Sequence, residues 1–456
     1  MKEVLYSMLL YEENDYDMDK ENKNRSRPKF VGILCVVFFV AIAIYSLMPN
    51  MREHSQQITQ STWGIAGDYL SMEETEAFAI RQVITKESAT SRTIMWQSEL
   101  EENDAIVEYK IKNLSEIKSV VVSNKKFTDD GITLYLHTAN LENLEPHVQY
   151  EYRIGDGNKR SNWYTLNTDT GGDFKALIFP DSQSNDYSGW KRLVQVARKE
   201  NPDAEFFVNM GDLVDNGEDY SQWQAWFNAV SGMVETIPVA PVLGNHETYN
   251  RDWKVRMPES YLNLFSLPEN GDAMRQNQFY SFDYGAVHFI VLNTQIDEME
   301  QFQPGLLETQ QKWFVNDIKN TNKKWKVVLM HKDVLTYEIK NRTDRKAGIS
   351  DIGRAWMPLF DEYGVDAVLT AHLHTYRRRG NLYNFESDTR GPLYIITGVA
   401  GNVRYPDLWV DHPFDQATAP QPETDNYMTI EASEDVLRLA AFLVDGRKID
   451  QVEIRK

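Results

Sequence analysis

The sequence contains a single cysteine, Cys35, which excludes both an internal disulfide and a cysteine-based zinc site. It is also short of positive charge, since 48 lysine and arginine residues stand against 68 aspartate and glutamate residues and give a formal net charge of -20. Such a chain repels polyanions, and because it has no long basic cluster we do not expect it to bind a nucleic-acid polymer. A metal ion would have to be held by histidine, aspartate, glutamate or asparagine.

Long apolar runs are scarce as well. Only residues 30–48, which are 19 residues without a charge, are long enough to span a bilayer as a helix. Five lysine or arginine residues lie just before this run and only Arg52 just after it, so the positive-inside rule places residues 1–29 in the cytoplasm and the rest outside the cell. A cleaved signal peptide is the alternative, but the run is longer than a usual signal core and no small-x-small cleavage site follows it. We expect a single-pass membrane anchor (30–48) followed by a stalk (49–75).

The rest of the chain is sufficient for two domains with well-buried cores, because 42% of the residues are hydrophobic. Between residues 76 and 170, short segments rich in β-forming residues are separated by turn-prone groups such as Asp129-Asp130-Gly131. About seven short strands in roughly 95 residues predict an all-β sandwich. The predicted strands are 79–84, 93–97, 105–111, 119–122, 132–136, 148–154 and 163–166.

From residue 172 onwards the pattern becomes strand, turn and helix, which predicts a layered α/β domain over residues 172–456. Strands return at the end of the chain, so we expect mixed sheets flanked by helices. Residues 381–426 contain many turn residues and aromatics and predict a long loop over one face. The predicted strands are 174–179, 206–210, 239–243, 288–293, 326–330, 365–370, 393–397, 427–432, 436–443 and 449–454, and the predicted helices are 188–200, 220–230, 307–321 and 353–363.

Polar residues that can bind a metal follow five of these strands. Each ending alone is a weak signal, because a single histidine or a Gly-Asp pair is more often a satisfied polar residue or a capped turn. Five such endings in succession predict one metal site, since the ends of strands lying side by side share a crevice. The endings are Asp181-Ser182-Gln183, Gly211-Asp212, Gly244-Asn245-His246-Glu247, His331 and His372-Leu373-His374.

The order of these endings resembles the calcineurin-like metallophosphoesterase superfamily, and within it the purple acid phosphatase-like branch. The earlier segments 91–96, 141–146 and 150–155, together with Trp163, resemble the fibronectin type III-like domain that precedes the catalytic domain in purple acid phosphatases. The resemblance implies an enzyme that hydrolyses phosphate monoesters or diesters. The implied cofactors are two divalent or mixed-valence metal ions, with Mn, Fe and Zn not distinguished.

The resemblance also implies a role for each strand-end residue. Asp212 would bridge the two ions, and His246 would bind no metal but would face the scissile phosphate and donate a proton or hydrogen bond to it. One ion would be held by Asp181, Asp212 and His374, and the other by Asp212, Asn245, His331 and His372.

Three positions depart from the family pattern. Gln183 stands where many members have histidine, and its amide oxygen is a weaker ligand. Asp215 stands where the purple enzymes have a tyrosine, and without that tyrosinate there is no reason to prefer ferric iron. Ala371 replaces the glycine of Gly-His-x-His, which changes only the turn. The ion bound by Asp181 would therefore have the weaker set of ligands.

The substrate is left open by the sequence, because its choice depends on loops such as 249–257 and 381–426. Within a different class, the chain could be a surface adhesion or scaffold protein with an inactive phosphoesterase domain. Within enzymes, it could be a nucleotide-specific phosphodiesterase or nucleotidase. Five residues are candidates for substrate contact: Tyr249, Arg251, Tyr337, Arg377 and Arg378. The alternative for each is a structural role, as a solvated arginine or a packed tyrosine.

Overall fold

The computed structural model describes residues 73–74, 76–102, 104–342 and 344–456. The predicted cytoplasmic tail (1–29), membrane anchor (30–48) and nearly all of the predicted stalk (49–75) lie outside these residues. Within the part of the chain that is described, no helix is both long and apolar enough to cross a membrane.

The first part of the described chain is rich in β-structure, as predicted. All seven predicted strands are present within a few residues of their expected bounds, with strand β7 extended by five residues at its end. Strand β6 was not predicted because its sequence, Ser-Asn-Lys-Lys-Phe-Thr-Asp, is almost entirely polar and exposed. The strands are β1 (Glu73–Glu74), β2 (Phe78–Val83), β3 (Arg92–Ser98), β4 (Ala105–Ile111), β5 (Lys118–Val121), β6 (Ser123–Asp129), β7 (Ile132–Leu141), β8 (Gln149–Asp156), β9 (Lys159–Arg160) and β10 (Tyr164–Asn167).

The rest of the chain is a mixed α/β structure. Its strands are β11 (Phe174–Phe179), β12 (Phe206–Asn209), β13 (Val239–Pro241), β14 (Tyr280–Tyr284), β15 (Val287–Leu292), β16 (Trp325–Met330), β17 (Leu335–Thr336), β18 (Gly348–Ile349), β19 (Ala367–Thr370), β20 (Thr375–Tyr383), β21 (Glu386–Ser387), β22 (Leu393–Gly398), β23 (Asp415–Thr418), β24 (Asn426–Ala432), β25 (Val436–Leu443) and β26 (Lys448–Arg455). Its α-helices are α1 (Ser188–Glu200), α2 (Tyr220–Val230), α3 (Glu259–Leu264), α4 (Ile296–Met299), α5 (Leu306–Asn320) and α6 (Asp351–Tyr363), with 3-10 turns at His246–Thr248 and Ala273–Arg275.

Two large sheets face each other between layers of helices. Phe174 of β11 packs on Phe289 of the opposite sheet, with ring centroids 6.2 Å apart, whereas Phe179, on the other face of the same strand, packs on Trp190 of α1 at 5.0 Å. On the far side of the second sheet, Phe314 of α5 and Trp356 of α6 lie 5.6 Å apart. The order of layers is helix, sheet, sheet, helix.

One sheet continues from the β-rich part into the α/β part. Its order is β26-β25-β24-β11-β12-β13-β2-β3-β7-β6, and the junction is a parallel pairing of β13 with β2 at Val239 and Val83. Strands β2, β3 and β7 of this sheet also pack against strands β4, β8 and β10. The core between them is separate and apolar, and Trp96, Val107 and Tyr152 lie at its centre. The β-rich part is therefore fixed to the α/β part by hydrogen bonds of the sheet.

Two expectations need correction. The five strands with polar endings do not form one sheet: β11, β12 and β13 are neighbours in the first sheet, and β16 and β19 are neighbours in the second. The predicted long loop 381–426 was also wrong in part, because strands β21 and β23 lie within it in addition to the expected strand β22. Strand β23 alternates between partly buried and exposed residues and pairs only with β20, so it carries little apolar signal.

Candidate metal centre

The turn after strand β12 places Asp212 at the centre of the site. Gly211 has φ of +96°, and a Cβ atom there would lie 2.5 Å from the Nδ1 atom of His331, so this position needs glycine. Asp212 itself has φ of +48° and is almost fully buried. The turn thus delivers one carboxylate from the first sheet to the histidines of the second.

Glu247 holds this turn in place. Its carboxylate accepts hydrogen bonds from four backbone N–H groups, those of Asp212 at 3.0 Å, Leu213 at 2.8 Å, Val214 at 3.3 Å and Gly244 at 2.8 Å. The sequence interpretation gave Glu247 no role. Its position directly after Gly-Asn-His was the signal, since a buried carboxylate beside two tight turns is suited to accept their unpaired N–H groups.

His331 links the two sheets and is fully buried. Its Nδ1–H donates to the carbonyl oxygen of Met210 at 2.9 Å, which directs Nε2 towards Asp212 Oδ2 at 3.2 Å and Asn245 Oδ1 at 3.1 Å. Burial lowers the pKa of His331, but the Asp212 carboxylate outweighs this effect and raises that pKa to about 9. The hydrogen bond to Met210 therefore leaves Nε2 as the atom available to a metal.

Asp181 and His374 form a second link between the sheets. The Nδ1–H of His374 donates to the carbonyl oxygen of Val403 at 2.8 Å, and its Nε2 lies 3.2 Å from Asp181 Oδ2. The Asp181 carboxylate also accepts the backbone N–H of His372 at 3.0 Å. His372 and His374 have φ of +69° and +51°, so the turn between β19 and β20 is held in a conformation that costs free energy.

The predicted ligands come together in two clusters that share Asp212. Within each cluster the candidate ligand atoms lie within 4.8 Å of one another. Asn245, another predicted ligand, contacts His331. The clusters are Asp212, His331 and His372, and Asp181, Asp212 and His374.

Two buried atoms at the site lack a hydrogen-bond partner. They are Nδ1 of His372 and Oε1 of Gln183, among the described residues. A buried polar atom without a partner is unfavourable, and a metal ion would satisfy both of these. Carboxylate, imidazole and amide oxygen are also the ligands that Mn, Fe and Zn accept in proteins. The donor set therefore fits two metal ions.

His246 lies at the edge of the clusters. Its backbone N–H donates to Asp212 Oδ1 at 2.9 Å, and its Nδ1–H donates to the carbonyl oxygen of Asp215 at 2.7 Å. The Nε2 atom is left 3.9 Å from Asp212 Oδ2, and 17% of the side chain is exposed. The ring can therefore be reached by a substrate. The Asp215 carboxylate lies beside the same ring, 3.5 Å from Nδ1, and burial raises its pKa.

The five predicted substrate residues are in different surroundings. Tyr249 is near the site, with its ring centroid 5.9 Å from that of His246. Tyr337 is fully buried, and its hydroxyl donates to Asp415 at 2.7 Å. The three arginines are all in ion pairs: Arg251 with Asp130 and Asp219, Arg377 with Asp411 and Asp415, and Arg378 with Asp450.

Two exposed aromatic residues next to histidines of the site were not predicted. The ring of Trp253 lies 5.7 Å from that of His246, and the ring of Tyr405 lies 4.9 Å from that of His374. Their exposed fractions are 49% and 42%. Both lie in the loops expected to govern substrate choice, but an exposed aromatic in a loop has no periodicity that would single it out.

Comparisons with known proteins agree with this geometry. The model of the calcineurin-like phosphoesterase family matches residues 168–376, and the model of the purple acid phosphatase N-terminal domain matches residues 78–168. The chain therefore contains a calcineurin-like phosphoesterase domain preceded by a purple acid phosphatase N-terminal domain. Among curated proteins, acid phosphatase type 7 of Homo sapiens is 27% identical over 313 residues, covering 60% of this chain and 67% of that protein. Purple acid phosphatase 23 of Arabidopsis thaliana is 28% identical over 196 residues, covering 42% of this chain and 40% of that protein.

Solved structures share the fold. A purple acid phosphatase from yellow lupin (Lupinus luteus) seeds superposes with a TM-score of 0.67 at 17% identity, covering 83% of this chain and 74% of that one. PhoD superposes with a TM-score of 0.56 at 13% identity, covering 81% of this chain and 91% of that one. These structures support the mixed α/β phosphoesterase fold with a β-rich domain before it.

The comparisons confirm three predictions. The chain is a phosphoric ester hydrolase by family, as its acid phosphatase relatives indicate. The cofactor is a dinuclear metal centre, whose metals are not identified. The domain before the catalytic one is of the purple acid phosphatase N-terminal type.

Proposed function

We propose that this protein hydrolyses phosphate monoesters or diesters at a two-metal site centred on Asp212. The observation that carries the proposal is the pair of ligand clusters that share the Asp212 carboxylate. The acid phosphatases among its relatives support the same reaction. An inactive scaffold would be expected to lose ligands, whereas all four ligands proposed for one ion, Asp212, Asn245, His331 and His372, are present.

Each residue has a distinct role in this proposal. Asp181, Asp212, Asn245, His331, His372 and His374, with Gln183 as a weaker ligand, would hold the two ions. When bound, such ions neutralise phosphoryl charge and make a water molecule nucleophilic near neutral pH. The Nδ1–H of His246 is directed at the carbonyl oxygen of Asp215, so a proton for the leaving oxygen would come from Nε2 of the doubly protonated ring. Glu247 positions the Asp212 turn without touching the substrate.

The proposal is tested by hydrolysis of p-nitrophenyl phosphate and bis-p-nitrophenyl phosphate by the full-length protein in detergent, supplied in turn with Mn, Fe and Zn. We expect turnover of at least one ester, with a loss of more than ~100-fold in a His331→Ala variant. The buried and ion-paired His288 provides a control, since His288→Gln should keep the activity. If neither ester is hydrolysed with any of the metals, the proposal is wrong.

We also infer a domain plan from the sequence. Residues 76–170 would form a fibronectin type III-like sandwich and residues 172–456 the phosphoesterase domain, with Tyr249, Arg251, Tyr337 and Arg377 retained as candidates for substrate contact. The separate apolar core around Trp96 supports the first assignment. The ion pairs of both arginines and the burial of Tyr337 leave Tyr249 as the simplest candidate.

Residues 30–48 would anchor the protein in the membrane, with residues 1–29 in the cytoplasm and the catalytic domain outside the cell. The charge-free run and the basic residues before it support this. Full-length protein should sediment with membranes and resist extraction by alkaline carbonate, whereas a variant lacking residues 1–48 should be released. Recovery of the full-length protein in the carbonate supernatant would contradict the anchor.

A further inference from the structure

Trp253 is held in an unfavourable conformation next to His246. Its φ is +58°, a region that bulky side chains avoid, and half of its surface is exposed, so burial does not compensate for the strain. The indole stands edge-on to the His246 ring, with an interplanar angle of 88°. Such a residue persists only where the surrounding structure fixes it, and such positions are concentrated at functional sites.

The loop that carries Trp253 is fixed by its own hydrogen bonds. The Asn250 side-chain oxygen accepts the backbone N–H groups of Asp252 at 3.0 Å and Lys254 at 2.8 Å. The N–H of Trp253 donates to the carbonyl oxygen of Asn250 at 2.8 Å. The backbone that carries the indole is therefore held in place by the loop itself.

The β-rich domain secures the same loop on both sides of Trp253. At the turn between β6 and β7, Asp130 pairs with Arg251 at 2.5 Å and Asp129 pairs with Arg256 at 2.8 Å. Both carboxylates are largely buried, with side-chain exposures of 12% and 10%. The first domain thus reaches the edge of the catalytic site through two ion pairs.

We propose that Trp253 is a stacking platform for an aromatic leaving group, which makes aryl or nucleoside phosphates the preferred substrates. This rests on the proposed function, in which His246 donates its proton to the leaving oxygen. A leaving oxygen next to His246 places the first atoms of the leaving group towards Trp253, and a planar ring there can stack on the exposed indole face. Asp129 and Asp130 are positioning residues for this platform.

The test uses pairs of substrates that differ only in the ring. Benzyl phosphate and cyclohexylmethyl phosphate have the same type of leaving oxygen and similar size, and adenosine 5′-monophosphate and ribose 5-phosphate differ only by the base. For Trp253→Ala we expect KM to rise about 10-fold for the aromatic member of at least one pair and less than twofold for its partner. The pair that responds distinguishes an aryl from a nucleoside preference. Trp253→Phe should restore most of the aromatic preference.

Two further variants make the test specific. Asp130→Asn should shift the KM ratio in the same direction by a smaller factor, because Arg251 keeps its contact with Asp219 at 3.4 Å. Tyr405→Ala, on the His374 side of the site, should leave the ratio unchanged. The proposal is overturned if Trp253→Ala changes both members of each pair equally, or if Tyr405→Ala changes the ratio in its place.

Binding without turnover separates this proposal from the hydrolase activity. Calorimetry of the metal-loaded full-length protein with benzylphosphonate and cyclohexylmethylphosphonate gives the same ratio from Kd values, even if no ester is hydrolysed. We expect the benzyl compound to bind about 10-fold tighter in the wild type and equally in Trp253→Ala. Equal binding of the two compounds to the wild type, together with no Trp253-dependent difference between adenosine 5′-monophosphate and ribose 5-phosphate, would reject the platform.

Discussion

Replacing Asp212 by asparagine is expected to reduce kcat/KM for a phosphate ester by more than ~100-fold and to reduce bound metal to one ion or fewer per chain. Loss of a residue that merely supports a metal ligand costs about 10–100-fold in affinity or activity, and Asp212 is itself the ligand shared by both clusters. Asparagine keeps the volume and can still accept the N–H of His246. Its amide group, however, lacks the charge needed to bridge two cations.

The buried Asp169 provides a matched control. Its carboxylate accepts the backbone N–H groups of Gly171 at 2.8 Å and Gly285 at 2.9 Å, outside the ligand clusters. Asp169→Asn should lower the melting temperature but keep the metal content measured by mass spectrometry after dialysis. An Asp212→Asn protein that retains two ions and near-normal kcat/KM would contradict the bridging role.

The sequence predicted those features that are specified by residues next to one another in the chain. A glycine followed by aspartate after an apolar strand predicted the site turn, because both the turn and the ligand are specified within two residues. The strands β4, β11 and β25 and the helices α1 and α2 were predicted to the residue, since their apolar periodicity is strong. These features depend on neighbours in the sequence alone.

Features that depend on distant pairing were harder to predict. The shared crevice was inferred for five strands lying side by side, and the structure divides these strands between two sheets that face each other. Nothing local distinguishes these arrangements, because β11 and β16 are both short, apolar and buried. The site still forms, since Asp212 meets His331 and Asp181 meets His374 across the gap between the sheets.

Glu247 also depends on distant contacts, because the backbone groups that it binds lie more than 30 residues earlier apart from Gly244. Each carboxylate oxygen of Glu247 accepts two hydrogen bonds. Oε1 accepts the N–H groups of Leu213 and Val214, and Oε2 accepts those of Asp212 and Gly244. Replacing one oxygen by an NH₂ group would leave two buried N–H groups facing a donor. The turn that carries the shared ligand would then lose half of its support.

We therefore expect Glu247→Gln to lower the free energy of unfolding by about 2–6 kcal/mol, at roughly 1–3 kcal/mol for each of the two unsatisfied buried groups. Metal affinity should fall by about 10–100-fold, because the displaced turn holds the Asp212 carboxylate that both clusters share. Urea unfolding without metal measures the first effect, and metal titration measures the second.

The control is Glu235→Gln, at a carboxylate that accepts one backbone N–H, from Gly232 at 2.7 Å, and the Ser231 hydroxyl at 3.0 Å. That variant should change stability by less than ~1 kcal/mol and leave metal affinity unaltered. If Glu247→Gln loses stability but binds metal like the wild type, Glu247 supports the fold alone. Loss of both would show that the turn at Gly211-Asp212 reaches its binding geometry only while this carboxylate holds it.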